Sequence, residues 1–376
     1  RTLNGNWIHT PNGWEDKGKP IPIGISVNNW RRLQRPVGVA AGDIMDNGLT
    51  DVVMVLKYNH ADRYAPDIVY MLNNGDGTYD TGHFDADPGY PMSDLLATNH
   101  IQILDFDQDG SMDIIVTSDQ TGSNALTPPN GHIVWVDLNN GQYTVRYIDT
   151  LENEEKLNHI AIGDIDGDGD NDVLWTGNDT TAPGSNEDDD YAHGVIAWSR
   201  NNGNGTFTRR TVATNVAMNS GWSTMKMALV DIDDDNDLDI LAGIRSGIFS
   251  DSKVGHYYLN NGTGTFTAHE HPEDATKPFT YHDWLIADMN NDGRDDIVGT
   301  SSWYENNGDL TVTQHNFQYN SDHSPMAKEA IDFDGDGDLD LITDEGWFEN
   351  IGDNCPSVSN ADQTDADEDG IGDACE

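Results

Sequence analysis

A nine-residue aspartate loop recurs along this chain, and it sets what the fold can be. Its clearest copy is Asp164-Ile-Asp-Gly-Asp-Gly-Asp-Asn-Asp172. Carboxylates at the first, third, fifth and ninth places bring hard oxygens to one point, which suits Ca²⁺. A small residue at the sixth place lets the backbone turn sharply. The expected ligand sets are Asp105, Asp107, Asp109 and Asp113; Asp164, Asp166, Asp168 and Asp172; Asp231, Asp233, Asp235 and Asp239; Asp288, Asn290, Asp292 and Asp296; and Asp332, Asp334, Asp336 and Asp340. A sixth copy begins at Asp43, but Met45 stands where its third-place carboxylate belongs, so this loop is the one expected to stay empty.

Each loop leads into a short apolar run, such as Asp172-Val-Leu-Trp or Asp239-Ile-Leu-Ala, so it joins two strands. Further on come an aromatic strand, a turn rich in Asn and Gly, and a Thr/Phe strand, as in Tyr257-Tyr-Leu-Asn-Asn-Gly-Thr-Gly-Thr-Phe266. Asn-Gly between alternating runs is a hairpin signal, and each copy therefore predicts a four-stranded antiparallel unit. The strand tryptophans Trp135, Trp175, Trp198, Trp303 and Trp347 are expected in cores. Such units stack either as a solenoid or as a closed propeller. Closure is favoured: the last copy, residues 328–350, has three clear strands, and residues 1–36 hold a spare one. The expected fold is all-β, a closed β-propeller of six blades, or seven if residues 1–36 form a degenerate blade. Its parts are an N-terminal closing segment (1–36), the repeats (37–350) and a short calcium-binding tail (351–376).

With 19 Lys and Arg against 67 Asp and Glu, the formal charge is −48, and one Ca²⁺ per loop would leave the surface acidic. That balance argues against nucleic acid and anionic membranes as partners. No run approaches the ~20 apolar residues of a membrane span. Cys355 and Cys375 bracket the tail and are expected to pair in an oxidising compartment. The chain opens on Arg1, as a processed form would. Millimolar extracellular calcium suits many weak sites, so secretion is expected.

The strand before each loop carries the chemistry. Counting back from the first aspartate, the second and fourth residues are apolar, for example Ala41 and Val39, Ile103 and Ile101, Leu229 and Met227, and Ile286 and Trp284. These are expected to pack between units. The third and fifth residues fall on the other face and include Gln102, Glu329, His100, His159, Lys226 and Asp283. Just upstream stand Arg32, Arg35, Trp222, Tyr281, His282 and His323. In a propeller this strand is innermost, so basic and imidazole groups would gather at the channel mouth, where a carboxylated ligand would be attracted.

The Asp-rich loop followed by an apolar strand, over about residues 37–350, resembles the FG-GAP or VCBS-type repeats of the integrin α-subunit propeller and of many secreted microbial proteins. That family usually has seven blades. The tail, Asp353-Asn-Cys-Pro-Ser-Val-Ser-Asn through Asp373-Ala-Cys375, resembles a thrombospondin type-3 repeat. The resemblance implies a further calcium loop at Asp365, Asp367, Asp369 and Asp373, and a calcium-stiffened linker to a further C-terminal module.

Three functions follow from these residues. In the first, an acidic, uronate-containing polysaccharide is cleaved by β-elimination, by analogy with propeller-type lyases. His100 or His159 would be the base, Lys226 with Arg32 or Arg35 would neutralise the carboxylate, and Tyr281 or His282 would be the acid. Trp222, Asp283, His323 and Gln102 would hold the sugar. In the second, the chain binds oligosaccharide without catalysis. Residues at the mouth differ from copy to copy, which suits one asymmetric site and leans toward the enzyme. In the third, His100, His159, His282 and Asp283 hold a transition metal for a sugar dehydratase or isomerase. Gly-x-Ser-x-Gly, Walker and dinucleotide motifs are absent from the sequence.

Overall fold

A computed structural model gives the structure of the chain. It describes residues 7–10, 13–16, 35–57, 68–84, 100–118, 131–139, 142–151, 156–179, 191–219, 226–244, 254–270, 284–299, 302–317, 327–332, 339–343 and 346–348. Every described regular element is a β-strand. Strands β1 (Trp7–Thr10) and β2 (Gly13–Asp16) pair with each other as a hairpin. Six further sheets follow in chain order, one for each aspartate loop.

The first sheet comprises β3 (Arg35–Gly42), β4 (Asp51–Lys57), β5 (Ile68–Asn73) and β6 (Tyr79–His83). The second has β7 (Ile101–Leu104), β8 (Asp113–Ser118), β9 (His132–Asn139) and β10 (Gln142–Thr150). The third has β11 (Lys156–Gly163), β12 (Asp172–Asp179), β13 (Tyr191–Asn201) and β14 (Phe207–Asn219). The fourth has β15 (Lys226–Val230), β16 (Asp239–Ile244), β17 (Val254–Leu259) and β18 (Thr267–Glu270). The fifth has β19 (Leu285–Ala287), β20 (Asp296–Val298), β21 (Ser302–Asn306) and β22 (Val312–Asn316). The last has three strands, β23 (Ala327–Ile331), β24 (Asp340–Thr343) and β25 (Trp347–Phe348), as its sequence predicts. All pairs are antiparallel between chain neighbours, so the fold is a repeated all-β meander.

Burial explains why the second strand of each sheet reads as a continuous apolar run. Ile114, Ile115 and Val116 are all buried, as are Val173, Leu174 and Trp175, because these strands are covered on both faces. The chain divides into two compact units, Arg1–Leu157 and Asn158–Glu376. In the first, Val53, Val55 and Ile68 pack against Ile114, Val116 and Val134, which joins the first two sheets face to face. In the second, Leu174 and Trp198 meet Ile240 and Tyr258, Leu241 and Tyr257 meet Trp284 and Ile297, and Met289 and Val298 meet Leu341. Each core is thus shared by two consecutive sheets.

The expected packing face holds for Met227 and Trp284, which are buried, but Val39 is 64% exposed. Trp135, Trp175 and Trp198 are buried as expected, and Trp303 is half-buried and stacks on His315 at 4.1 Å. Among the described residues no helix is long and apolar enough to cross a membrane.

Candidate functional site

Each aspartate loop hangs on its ninth residue. Asp51, Asp113, Asp172, Asp239, Asp296 and Asp340 open the second strand of their sheets, and each is at most 1% exposed. In the third sheet Asp172 Oδ2 accepts from the Ile165 N–H at 3.0 Å, and Oδ1 from the Asn201 N–H at 2.7 Å. The pair recurs in the fourth sheet, where Asp239 takes Ile232 at 3.2 Å and Asn260 at 2.6 Å, and in the fifth, where Asp296 takes Met289 at 3.0 Å and Asn306 at 2.8 Å. It recurs in the first and second sheets through Asp51 and Asp113. The ninth aspartate therefore ties the start of the loop to the end of the third strand. It satisfies two backbone donors that would otherwise be buried without a partner.

The first aspartate closes the turn. Asp164 accepts from the Asp168 and Gly169 N–H groups at 3.1 and 2.9 Å, and Asp231 from Asp235 and Asn236 at 3.1 and 2.8 Å. In each of the five loops whose turns are described, two residues adopt positive φ, not one. The sixth place does so as expected, with Gly169 at 94° and Asn236 at 68°. The fourth place does so as well, through Gly167 at 72° but also Gln108 at 58°, Asp234 at 62° and Asn291 at 57°. Non-glycine residues there work against the usual preference, and the clamp from the first aspartate holds the turn around them.

Three loops bring acid oxygens into one place: Asp105, Asp107 and Asp113; Asp164, Asp166 and Asp172; and Asp231, Asp233 and Asp239. In each set one oxygen from every residue lies within 4.8 Å of the others. These residues fit a divalent cation on two independent grounds. Asp166 Oδ1 and Asp233 Oδ1 are buried with no hydrogen-bond partner. Burial also lifts the carboxyls of Asp113 and Asp296 to about 6 and those of Asp172 and Asp239 to about 7, and neighbouring aspartates add to the rise. A bound cation would supply the positive charge that keeps such groups ionised. The fifth loop offers Asn290 in place of the third carboxylate. In the last loop Asp332 and Asp340 are described, while Asp334 and Asp336 lie outside the described residues, as do Asp365, Asp367, Asp369 and Asp373.

The chemistry expected on the first strands is placed in part. His100 and Gln102 are half-buried in the first unit, and His159 and Lys226 are half-buried in the second. His100 Nε2, Gln102 Oε1 and His159 Nδ1 are shielded from solvent. Lys226 reaches to the neighbouring sheet, where its ammonium lies 5.3 Å from the centre of the Trp284 ring and donates to the Trp284 carbonyl. Glu329 is exposed. Arg35 lies on β3 opposite Lys57. Arg32, Trp222, Tyr281, His282, Asp283 and His323 lie outside the described residues.

The FG-GAP-like repeat matches residues 105–175, 164–242 and 288–343, together just over half of the chain. The chain belongs to the FG-GAP-like repeat family. The matched FG-GAP-like stretches contain the five loops that begin at Asp105, Asp164, Asp231, Asp288 and Asp332, and the Met45 loop lies outside them. No curated protein matches the sequence. Among solved structures the chain is similar to the exotype rhamnogalacturonan lyase YesX, at 12% identity and a TM-score of 0.38, over 82% of this chain and 62% of that one. It is also similar to the Trypanosoma rangeli sialidase in complex with sialic acid, at 10% identity and a TM-score of 0.35, over 93% of this chain and 56% of that one. The FG-GAP-like chain thus spans less than two thirds of the length of either.

Sequence reasoning missed a second set of residues that hold the repeats together. The Asn-Asn-Gly turns are visible in the sequence, yet in the fourth and fifth sheets the first Asn of the turn also reaches beyond its own sheet, whereas Asn73, Asn139 and Asn201 donate to the loops of their own sheets. Asn260 Nδ2 donates to the Ile165 carbonyl of the third-sheet loop at 2.7 Å, and Asn306 Nδ2 to the Asp231 carbonyl of the fourth-sheet loop at 3.0 Å. In these two FG-GAP-like sheets the turn therefore braces the aspartate loop of the sheet before it. Its signal was the recurrence of Asn at Asn73, Asn139, Asn201, Asn260 and Asn306, each followed by Asn-Gly.

Proposed function

We propose that this FG-GAP-like repeat protein is a secreted, calcium-stabilised β-propeller that acts on acidic carbohydrate, cleaving a uronate-containing polysaccharide by β-elimination. The observation that carries the reading is the common placement of His100 and His159. Each stands five residues before an aspartate loop and is half-buried, with a ring nitrogen shielded from solvent. Ca²⁺ in the aspartate loops would fix the strands on which these rings stand. The six sheets would close into a ring, residues 1–36 supplying the fourth strand of the last sheet, with the first strands innermost. In such a ring the imidazoles converge on the axis.

An imidazole there removes the proton α to the uronate carboxylate, and the electron pair expels the glycosidic oxygen across the new double bond. Tyr281 or His282 protonates that oxygen. Lys226, Arg32 and Arg35 supply positive charge to the carboxylate as its α-carbanion develops. Residues 351–376 would form a thrombospondin type-3 repeat, a calcium-stiffened connector to a further module.

The test is absorbance near 232 nm, where unsaturated uronates absorb, on a panel of uronate polysaccharides in calcium buffer. A rise that a folded His100→Ala/His159→Ala variant loses is the expected result. No rise on any substrate, with binding retained on a glycan array, would replace the lyase with a sugar-binding module.

A further inference from the structure

The third aspartate loop carries an organic cation of its own. Arg200, near the end of β13, places Nε 2.5 Å from Asp166 Oδ2 and a terminal nitrogen 2.8 Å from Asp168 Oδ2. At the same place before the Asn-Asn-Gly turn the other sheets with that turn have Leu72, Leu138, Leu259 and Glu305, so a cation reaching down from the third strand belongs to the third sheet, whereas in the fifth Arg294, from within the loop itself, pairs with Asp292. The Asp166 side chain is 9% exposed, and its second oxygen, Oδ1, is buried and has no hydrogen-bond partner.

Arg200 also borders a cleft of about 570 Å³ between the β13–β14 edge of the third sheet and the β17–β18 hairpin of the fourth. Arg210 faces the same side, because it pairs across the strands with Trp198, two residues from Arg200. Arg210 is exposed, and Thr211, Thr263 and Thr265 add exposed hydroxyls to the lining. Arg209 also borders the cleft, but it pairs with Ser199, so its side chain turns to the other face, its guanidinium carbon 4.9 Å from the centre of the Trp175 ring. The cleft is left with two guanidinium groups, Arg200 and Arg210, in a chain whose 19 basic residues face 67 acids.

We propose that this cleft binds the carboxylate of an acidic saccharide, and that Arg200 couples it to cation binding in the third loop. A divalent cation on Asp164, Asp166, Asp168 and Asp172 competes with the guanidinium for Asp166 and Asp168. The released guanidinium joins Arg210 in a charge-assisted clamp for a carboxylate. In the other direction, a carboxylate that draws Arg200 away restores the negative charge of the loop and strengthens the cation site. By linkage the two effects are equal. The threonines suit sugar hydroxyls, and the volume is that of a small-molecule site. The proposal shares only the acidic-glycan class with the lyase reading. It stands on third and fourth strands, whereas the lyase site stands on first strands, and it requires no turnover.

The experiment is calorimetric titration of trigalacturonate into the intact chain, at graded calcium concentrations over which its circular dichroism stays constant. The expected affinity rises with calcium by about tenfold, in the usual range of coupling between sites. Arg200→Leu should abolish that dependence. Arg210→Ala should weaken the saccharide about tenfold while leaving calcium affinity unchanged, since Arg210 touches no loop acid. The fully methyl-esterified trisaccharide should bind weakly to every form. Binding that ignores calcium, equal binding of the ester, unchanged affinity in both arginine variants, or no binding at all would overturn the proposal. None of these outcomes depends on the absorbance test of the lyase.

Discussion

In the third sheet the fifth-place carboxylate, Asp168, lies against Arg200. Asp168 and its counterpart in the fourth, Asp235, each accept from the N–H two residues on, at 3.1 and 3.0 Å, but in the fourth Leu259 stands where Arg200 would be. Beneath that difference the two loops share one frame, with the same first-place clamp and the same two bonds to the ninth aspartate. The first sheet extends the comparison. Met45 removes a ligand there, yet Asp43 still accepts from the Asn47 N–H at 3.0 Å and Asp51 from the Asn73 N–H at 2.7 Å. The frame is therefore made by backbone donors and buried carboxylates, and the cations above it can vary from sheet to sheet without changing the fold.

The sharpest way to break this comparison is to remove the shared frame. Asp172→Ala and Asp239→Ala each strand two buried N–H groups, at about 1–3 kcal/mol apiece, so each should lower unfolding stability by about 2–6 kcal/mol in chemical denaturation. Asp51→Ala should cost about as much, although its loop lacks the third carboxylate. If Asp51→Ala is silent, metal and not hydrogen bonding makes the frame. Removing the brace between sheets should cost less. Asn260→Ala loses bonds to the Ile165 and Leu238 carbonyls and is expected to destabilise by about 1–3 kcal/mol, with Asn306→Ala close behind.

Exchanging the charge over the loops should leave stability nearly unchanged but move calcium affinity. Arg200→Leu is expected to tighten the third loop, and Leu259→Arg to weaken the fourth, each by about tenfold, or ~1.4 kcal/mol. Site-resolved calcium titration reads both. The smallest effect lies in the first unit. Burial holds His132 below its ordinary value, with one ring nitrogen 3.2 Å from Thr150 Oγ1. Its neutral form contributes stability that is present above pH 6.5 and lost as pH falls toward the folded value. The stability difference between the wild type and His132→Gln, read by denaturation, should shift slightly against the wild type as the pH falls from 7 to 5.

The repeats were legible because they are local. An aspartate loop, an apolar strand and an Asn-Gly turn are consecutive in the chain, and each copy became one sheet, down to the three strands of the last. The non-local features were not legible. Nothing near Arg200 in sequence says that it will lie on Asp166 and Asp168, because the contact is made by strand pairing some thirty residues away. Positive φ at Gln108 and Asp234 is hidden for a similar reason, since neither residue type demands it. Lys226 spans to Trp284 of the next sheet, and its sequence surroundings do not announce that contact, because packing between sheets sets it. Val39 follows the apolar pattern of its strand and is still exposed, because the pattern reports pairing and not what covers the face.

The most direct test is the order in which the loops fill with metal. Crystals grown without calcium would be soaked in graded Tb³⁺, and ion occupancy read from anomalous peaks. The expected order is the fourth loop before the third, with the Met45 loop empty, and the order of the third and fourth should reverse in the Arg200→Leu/Leu259→Arg double variant. No ion at these aspartates, or an unchanged order after the exchange, would contradict the assignment of the loops as cation sites tuned by the charge above them.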